Sequence, residues 1–157
     1  MTKLRNVAVI LAGGTGTRVG LSIPKQLIKI AGKTILEHTI SVFNAADDID
    51  EIIILMTPGY LDPVHAIVRD GAYPKVTQVL EGGATRNETT SLALSALGED
   101  ECNVLFHDAV RPLVSQKIIS DVVEALADYE AVDTAIPSAD TIVQVHAERS
   151  GTYDTIE

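Results

Sequence analysis

The sequence predicts an α/β fold with a doubly wound, mostly parallel sheet, and three observations support this class. Short apolar runs rich in valine and isoleucine alternate with amphipathic helical patterns. Turn formers and capping residues bound most of these runs. The 157 residues are 46% hydrophobic, which suits one sizeable core and hence a single domain. Strands that alternate with helices connect by crossovers, so the sheet is expected to carry helices on both faces.

The individual elements follow in order along the chain. Five apolar runs bounded by turn formers are predicted as buried strands: VAVILA (7–12), EIIILMT (51–57), KVTQVLE (75–81), NVLFHDA (103–109) and AVDTAIP (131–137). Four segments have the helical period: TILEHTISVFNA (34–45), DPVHAIVRDG (62–71, with an Asp62 cap), RNETTSLALSALG (86–98, ending on Gly98) and SQKIISDVVEALADY (115–129, with a Ser115 cap).

The last segment departs from this alternation. From Asp140 onward DTIVQVHAERSGTYDTIE shows two alternating stretches around a Ser-Gly turn, which predicts a projecting β-hairpin arm over about 138–157. Thr141, Val143 and Val145 would share one face, and Ile142 with Gln144 and His146 the other. Apolar residues on both faces of an isolated ribbon are poorly buried by one chain, so we expect a partner subunit to cover them in a homodimer.

Charge is unevenly distributed along this acidic chain, whose formal net charge is −10. The first acidic residue is Glu37, and the bases before it are Lys3, Arg5, Arg18, Lys25, Lys29 and Lys33. This segment predicts a local site for an anion, although a solvated basic edge is an alternative. The overall acidity argues against nonspecific nucleic-acid binding.

Other features bear on localisation. The apolar run behind the N-terminal bases is too short for a signal peptide or a membrane span. Cys102 is the single cysteine, so no internal disulfide can form. We therefore expect a cytoplasmic protein that does not bind membranes.

The glycine-rich segment LAGGTGTRVGLSIPKQ (11–26) is the first candidate site, because ligands of doubly wound sheets bind beyond the carboxyl ends of the strands. Gly13, Gly14 and Gly16 would let the backbone approach phosphate oxygens, and Arg18 and Lys25 would supply positive charge.

Two common nucleotide motifs fit this segment poorly. No Lys-Ser or Lys-Thr follows the glycines at P-loop spacing. A dinucleotide fingerprint would need glycine where Val19 stands, and Pro24 interrupts the expected helix. A dinucleotide-binding oxidoreductase is therefore disfavoured.

Four ordered motifs instead resemble the small cytidylyltransferases, which include the 2-C-methyl-D-erythritol 4-phosphate and the ribitol 5-phosphate enzymes. The motifs are LAGGTGTRVGLSIPKQL with its continuation to residue 40, EGGATRNET (81–89), HDAVRP (107–112) and AIPSADTI (135–142). The resemblance spans nearly the whole chain. It implies a Rossmann-like fold of the nucleotide-diphospho-sugar transferase type.

The resemblance also implies roles for individual residues. Arg18 and Lys25 would be catalytic cations on the triphosphate of CTP. The other nucleotide-binding residues would be Ala12, Gly13, Gly14, Gly16, Gly83, Arg86 and Thr89. Asp108, Arg111 and Thr141 would bind the polyol phosphate. Thr141 would reach across from the partner's hairpin. Asp108 would also lie beside a bound Mg²⁺ ion.

Structural alternatives accompany these roles. Asp108 could cap a turn after its strand, and Arg111 could form an ion pair with it. His107 is expected to be a packed or supporting imidazole. Thr141 could be an ordinary strand threonine.

The expected reaction transfers CMP from CTP to a polyol phosphate with release of pyrophosphate. Such chemistry depends on positioning and on charge neutralisation by Mg²⁺ and fixed cations. HDAVRPL and AVDTAIPSADTIV resemble the ribitol phosphate branch of the family more closely, and Val143 stands where the methylerythritol enzymes commonly have a lysine. The resemblance therefore implies ribitol 5-phosphate as acceptor, in cell-wall or teichoic-acid biosynthesis. The alternative is 2-C-methyl-D-erythritol 4-phosphate, in isoprenoid biosynthesis. Residues 1–157 are expected to lack the C-terminal part of the family domain, which leaves a non-catalytic nucleotide-binding module as an alternative of another class.

Overall fold

The computed structural model describes residues 4–14 and 23–139, and the backbone of 143–145 and 153–155. Its strands are β1 (Arg5–Ala12), β2 (Lys29–Ile30), β3 (Lys33–Thr34), β4 (Glu51–Met56), β5 (Val76–Glu81), β6 (Cys102–Asp108), β7 (Val143–Val145) and β8 (Tyr153–Thr155). Its helices are α1 (Ile35–Ala45), α2 (Leu61–Gly71), α3 (Arg86–Ala96) and α4 (Gln116–Ala125), and a 3₁₀ turn covers Lys25–Leu27.

The central sheet is parallel, as the alternation of strands and helices predicts. Four strands pair in the order β5-β4-β1-β6. The register places Leu11 opposite Asp108 and Ala12 opposite Met56, which in turn lies opposite Glu81. The carboxyl ends of all four strands therefore reach the same edge of the sheet.

Helices cover both faces of the sheet and divide the core in two. Alternate side chains of β1 and β4 pack on one face against α1, α2 and α4, with Leu36, Ile40 and Phe43 of α1 buried there. On the opposite face Val7, Val9, Ile53 and Leu55 pack against Ala93 of α3. Both faces of β1 and β4 are thus buried, which explains their uninterrupted apolar sequences.

Local capping explains where the helices begin. Thr34 and Glu37 form a capping box at α1, and Thr85 and Glu88 form another at α3, each with reciprocal backbone bonds. Ser115 caps α4 as predicted. The predicted Asp62 cap is wrong, because α2 begins at Leu61 and Asp62 lies in its first turn, where its charge favours the positive end of the helix dipole.

The predicted strand over 131–137 is not formed, since residues 131–139 have no regular secondary structure. A strand needs a neighbour with which to exchange backbone hydrogen bonds. Among the described residues β6 pairs with β1 alone, and residues 130–134 line, together with β6 and α4, a groove of about 490 Å³. Residues 131–137 are therefore irregular, because no described strand is available to pair with this apolar segment.

The hairpin prediction is confirmed for the backbone that the structure describes. β7 and β8 are antiparallel, with Val143 opposite Thr155 and Val145 opposite Tyr153. The Ser-Gly turn between them lies outside the described residues. Within the described part of the chain, no helix has the length and apolar character needed to cross a bilayer.

Candidate functional site

A cleft of about 460 Å³ opens at the carboxyl edge of the sheet, where doubly wound folds bind ligands. The end of β1 and the glycines after it form its floor. Lys25, the segment from Gly83 to Arg86 and Asp108 line the cleft as well. Four separate parts of the sequence therefore meet in one place.

The floor is backbone, and the chain brings a cation beside it. Gly13 and Gly14 directly follow β1 and line the cleft. Pro24 then starts a single 3₁₀ turn, in which the N–H of Leu27 donates to the Pro24 carbonyl at 2.9 Å. This turn places Lys25 in the cleft wall. The arrangement offers backbone amides and one ammonium group to an anion.

The wall that contains Gly83 is held rigid by its own hydrogen bonds. The N–H of Gly83 donates to Oγ1 of Thr89 at 3.0 Å, and that hydroxyl donates to the Thr85 carbonyl at 2.9 Å. The N–H of Ala84 donates to Oε2 of Glu88 at 2.8 Å. The loop is thereby fixed to the first turn of α3.

Gly83 is required in this wall for steric reasons. A Cβ atom at this position would lie 2.4 Å from Cβ of Glu88 and 3.2 Å from its backbone carbon. Glu88 cannot move away without breaking the capping box of α3. The loop therefore folds tightly over the helix only because residue 83 has no side chain.

Asp108 at the end of β6 joins two arginines. Its Oδ1 lies 3.1 Å from Nη1 of Arg86, and its Oδ2 accepts a hydrogen bond from Nε of Arg111 at 2.9 Å. The Asp108 side chain is 25% exposed, whereas those of Arg86 and Arg111 are 71% and 74% exposed. The guanidinium groups are thus oriented by the carboxylate while most of their surface stays accessible to a ligand.

These contacts change the proton affinity of Asp108. Partial burial acts to raise its pKa, but the hydrogen bond from Arg111 and the charges of Arg86 and Arg111 together outweigh burial. The pKa of Asp108 is therefore lowered from its ordinary value of 3.8. The group is a carboxylate at neutral pH, and both arginines keep their partner.

His107 has the supporting role expected of it. Its ring lies 5.0 Å from that of Phe43, at 53°. Its Nε2 donates to the Arg111 carbonyl at 3.0 Å. The imidazole thus packs on the core side of β6 and holds the backbone of the loop that carries Arg111.

The structure brings most of the predicted site residues together. Eight of them line the cleft: Ala12, Gly13, Gly14, Lys25, Gly83, Arg86, Thr89 and Asp108. Arg111 joins these eight residues through its ion pair with Asp108. The sequence allows this ion pair as a structural alternative to a binding role. Gly16, Arg18 and Thr141 lie outside the described residues.

Sequence reasoning missed Gln26. Its side chain is 1% exposed, yet it lines the cleft from below. A polar residue directly after the predicted catalytic lysine was the available signal, but nothing in the sequence indicated that its amide would turn inward.

The described residues allow only a limited contribution to a metal site. No three histidine, cysteine or acidic side chains cluster as metal ligands within the described ranges, and Asp108 is the one carboxylate that lines the described part of the cleft. Mg²⁺ commonly takes one or two protein carboxylates and completes its shell with phosphates and water. The donor set therefore fits a Mg²⁺ ion held mainly by the phosphates of a ligand.

Comparison with known proteins identifies the family of this chain. The family model for 2-C-methyl-D-erythritol 4-phosphate cytidylyltransferase, IspD, matches residues 6–157. The bifunctional ribulose 5-phosphate reductase/CDP-ribitol pyrophosphorylase Bcs1 of Haemophilus influenzae is 45% identical over 148 residues, which are 93% of this chain and 31% of that protein. The 2-C-methyl-D-erythritol 4-phosphate cytidylyltransferase of Thermobifida fusca is 42% identical over 149 residues, which are 94% of this chain and 60% of that protein.

A solved structure has a similar fold. The 4-diphosphocytidyl-2C-methyl-D-erythritol synthase of Anaerococcus prevotii superposes with a TM-score of 0.77 at 27% identity, over 97% of this chain and 67% of that one. The chain thus spans less than two thirds of the length of the two curated relatives above. Because the family model covers residues 6–157, this protein belongs to the 2-C-methyl-D-erythritol 4-phosphate cytidylyltransferase (IspD) family.

Proposed function

We propose that this protein transfers CMP from CTP to a polyol phosphate and releases pyrophosphate, with ribitol 5-phosphate as the preferred acceptor. One observation carries the proposal: the glycine floor, Lys25, Arg86 and Asp108 line a single cleft, and Arg111 is paired with Asp108 beside it. Two anion-binding groups on one cleft suit a reaction that joins two phosphorylated substrates.

The electrostatic demand of the reaction explains why cations line the cleft. An oxygen of the acceptor phosphate attacks the α-phosphorus of CTP, the bond from that phosphorus to the bridging oxygen of the β-phosphate breaks, and pyrophosphate leaves. Negative charge accumulates on oxygens that already belong to two polyanions, so catalysis depends on positioning and charge neutralisation. The attacking phosphate is largely ionised at neutral pH, and therefore no general base is needed.

The chain's own residues divide this work. Lys25, together with Arg18, would neutralise the triphosphate above the backbone of Ala12, Gly13 and Gly14. Mg²⁺, when bound to the triphosphate beside Asp108, would supply further neutralisation and orientation of the phosphates. The resemblance places the cytosine and ribose against Gly83 and Thr89, and the structure adds that the Thr89 hydroxyl holds the Gly83 amide in position.

The acceptor would lie toward Arg111. Its guanidinium is 74% exposed and is oriented by Asp108, as a phosphate-binding group should be. Thr141 would complete the acceptor site from the partner's hairpin in a homodimer. The antiparallel pairing of β7 with β8 in the hairpin arm supports this arrangement.

Two acceptors compete closely. A relative named for CDP-ribitol pyrophosphorylase activity is 45% identical, which supports ribitol 5-phosphate. A relative named for 2-C-methyl-D-erythritol 4-phosphate is 42% identical, which supports the alternative acceptor. Because either product would be made from soluble metabolites, we place the protein in the cytoplasm.

The test is pyrophosphate release from CTP and Mg²⁺, measured in parallel with ribitol 5-phosphate and with 2-C-methyl-D-erythritol 4-phosphate. We expect release with ribitol 5-phosphate, and loss of release when EDTA removes Mg²⁺. Faster release with the other acceptor would overturn the substrate assignment alone. CTP binding without release with either acceptor would contradict the transferase proposal and favour a nucleotide-binding module.

A further inference from the structure

Gln26 lies beneath the glycine floor of the cleft, next in the chain to Lys25. Its side chain is 1% exposed, although glutamine is mostly found at protein surfaces. The 3₁₀ turn over Lys25–Leu27 directs the two neighbouring side chains differently, Lys25 into the cleft wall and Gln26 under the backbone. A buried amide directly below a candidate phosphate-binding loop needs a physical explanation.

The contacts of Gln26 determine which way its amide faces. Nε2 lies within hydrogen-bond distance of the Ala12 carbonyl, of the Gly14 carbonyl at 3.1 Å and of Oγ1 of Thr57 at 3.3 Å. Oγ1 of Thr57 donates its own hydrogen to the Ala12 carbonyl at 3.1 Å, so it can accept from Gln26. All three partners are acceptors, and they place the amide nitrogen, not the oxygen, toward the loop.

The two carbonyls depend on Gln26 to different degrees. The Ala12 carbonyl also accepts from the N–H and the hydroxyl of Thr57, at 3.3 and 3.1 Å. For the Gly14 carbonyl, Gln26 is the donor found within the described ranges. Loss of the amide would therefore leave the end of β1 satisfied and would release the glycine segment that follows it.

The carbonyl oxygen of the Gln26 side chain argues against a purely stabilising role for this residue. Oε1 of Gln26 is buried and has no hydrogen-bond partner among the described residues. A buried acceptor without a partner destabilises a fold, and an apolar side chain of the same length would avoid that cost. Within the described residues, what Gln26 contributes is therefore the set of hydrogen bonds from Nε2, which hold the loop.

We infer that Gln26 is a positioning residue for the nucleotide: by holding the Ala12 and Gly14 carbonyls from below, it keeps the Gly13–Gly14 backbone in the orientation that receives the triphosphate. The inference rests on the proposed function, because it assigns the cleft to CTP. Gln26 acts through the loop backbone and does not itself take part in the transfer.

Two variants test the inference, with Mg²⁺–CTP binding measured by calorimetry and unfolding measured in parallel. Gln26→Met keeps the length of the side chain and removes both polar atoms. We expect the Kd for CTP to rise about tenfold, the factor that corresponds to one strong hydrogen bond, while Tm stays the same or rises. Gln78→Met is the matched control, since Gln78 donates to the Ala96 carbonyl away from the cleft.

Gln26→Glu adds a second measurement, the pH dependence of CTP affinity, which would not change if the role of Gln26 were only structural. The ionised carboxylate repels both carbonyls, whereas the protonated form can donate to one of them, and burial favours protonation of a carboxyl. The contacting groups, from Ala12, Gly14, Met56 and Thr57, are uncharged, and Lys25 is the adjacent cation. We expect the ratio of variant to wild-type Kd to fall as the pH drops from 8 to 5.5.

The outcomes separate this inference from the proposed function. Wild-type protein that fails to bind CTP would contradict the proposed function. Wild-type binding with a Gln26→Met Kd within twofold of it would overturn the role of Gln26. A ratio of Gln26→Glu to wild-type Kd that does not change with pH would also overturn this role. So would losses of CTP affinity that only parallel losses of Tm.

Discussion

Asp108 is the residue on which the orientation of two arginines beside the cleft depends. It orients Arg86 from α3 and Arg111 from the loop after β6, and both guanidinium groups remain largely exposed. Exposed ion pairs contribute little to stability, about 0.2–1 kcal/mol each. The pairing therefore matters mainly because it presents two cations in fixed directions.

The first prediction concerns the pH dependence of that pairing. The pKa of Asp108 is lowered in the folded state, so its contribution to stability is present above the ordinary value of 3.8 and is lost as the pH falls through the folded pKa. We expect Asp108→Asn to lower the free energy of unfolding by about 1 kcal/mol near neutral pH. Urea titrations of both proteins should show this difference shrink below the ordinary pKa and disappear below the lowered pKa of the folded state.

A double-mutant cycle provides the control for this prediction. In an Arg111→Gln background, the effect of Asp108→Asn should shrink, because one of the two partners has already been removed. A difference between wild type and Asp108→Asn that stays constant down to pH 3 would contradict the ion-pair interpretation.

Lys25 carries the second prediction at the residue scale. Because its ammonium group would face charge that develops on the triphosphate, Lys25→Ala should reduce kcat by about a hundredfold while leaving the fold intact. Lys29→Ala is the matched control, since Lys29 belongs to the same basic N-terminal segment but is exposed and does not line the cleft. Equal losses in both variants, measured as pyrophosphate release, would indicate a general effect of positive charge.

At the scale of single elements, α3 links helix capping to the site. Its first turn and N-cap hold the loop of Gly83 and Ala84 through Thr85, Glu88 and Thr89. The helix α1 has an equivalent capping box at Thr34 and Glu37, but that box does not line the cleft. The chain therefore offers two similar caps, of which one supports the site.

This pair gives the third prediction. Thr85→Ala and Thr34→Ala should each lower the free energy of unfolding by about 1 kcal/mol, because each removes an N-cap hydrogen bond. Only Thr85→Ala should also raise the KM for CTP, since it loosens the wall that contains Gly83. Denaturant titrations and steady-state kinetics of both variants measure the two effects, and a similar rise in KM for Thr34→Ala would refute the distinction.

At the scale of the whole molecule, the hairpin arm determines the expected assembly. β7 and β8 pair only with each other among the described strands, outside the central sheet. A two-stranded ribbon is marginal in isolation. A second copy of the chain is the partner that we expect to stabilise it.

The fourth prediction tests this assembly. By the period of a strand, Val143 and Val145 share one face and Gln144 lies on the other. Replacing both valines with lysine should convert a dimer to a monomer, because charge on an apolar contact opposes association. Gln144→Lys should leave the dimer intact. Sedimentation equilibrium distinguishes these states, and a wild type that is monomeric at all concentrations would contradict the prediction.

Predictions from the sequence succeeded where the signal was local. The buried strands β1 and β4, the Ser115 cap and the pairing of β7 with β8 follow from hydrophobic period, capping chemistry and turn residues, which act between near neighbours. The prediction failed at 131–137, because strand formation there depends on a neighbouring strand and not on composition. It also failed at Asp62, because the N-cap is Tyr60 and the helix therefore begins two residues earlier than an Asp62 cap predicts.

The sequence by itself determined the α/β class, the glycine-rich loop after β1 and the family to which the motifs belong, because these depend on the order and spacing of residues. The tertiary structure alone decided that the strands lie in the order β5-β4-β1-β6, that Arg86 of α3 reaches Asp108, and that the amide of Gln26 turns under the loop. These contacts join residues distant in the chain, or turn a side chain inward rather than outward. Both depend on how the elements pack, and no local pattern records that packing.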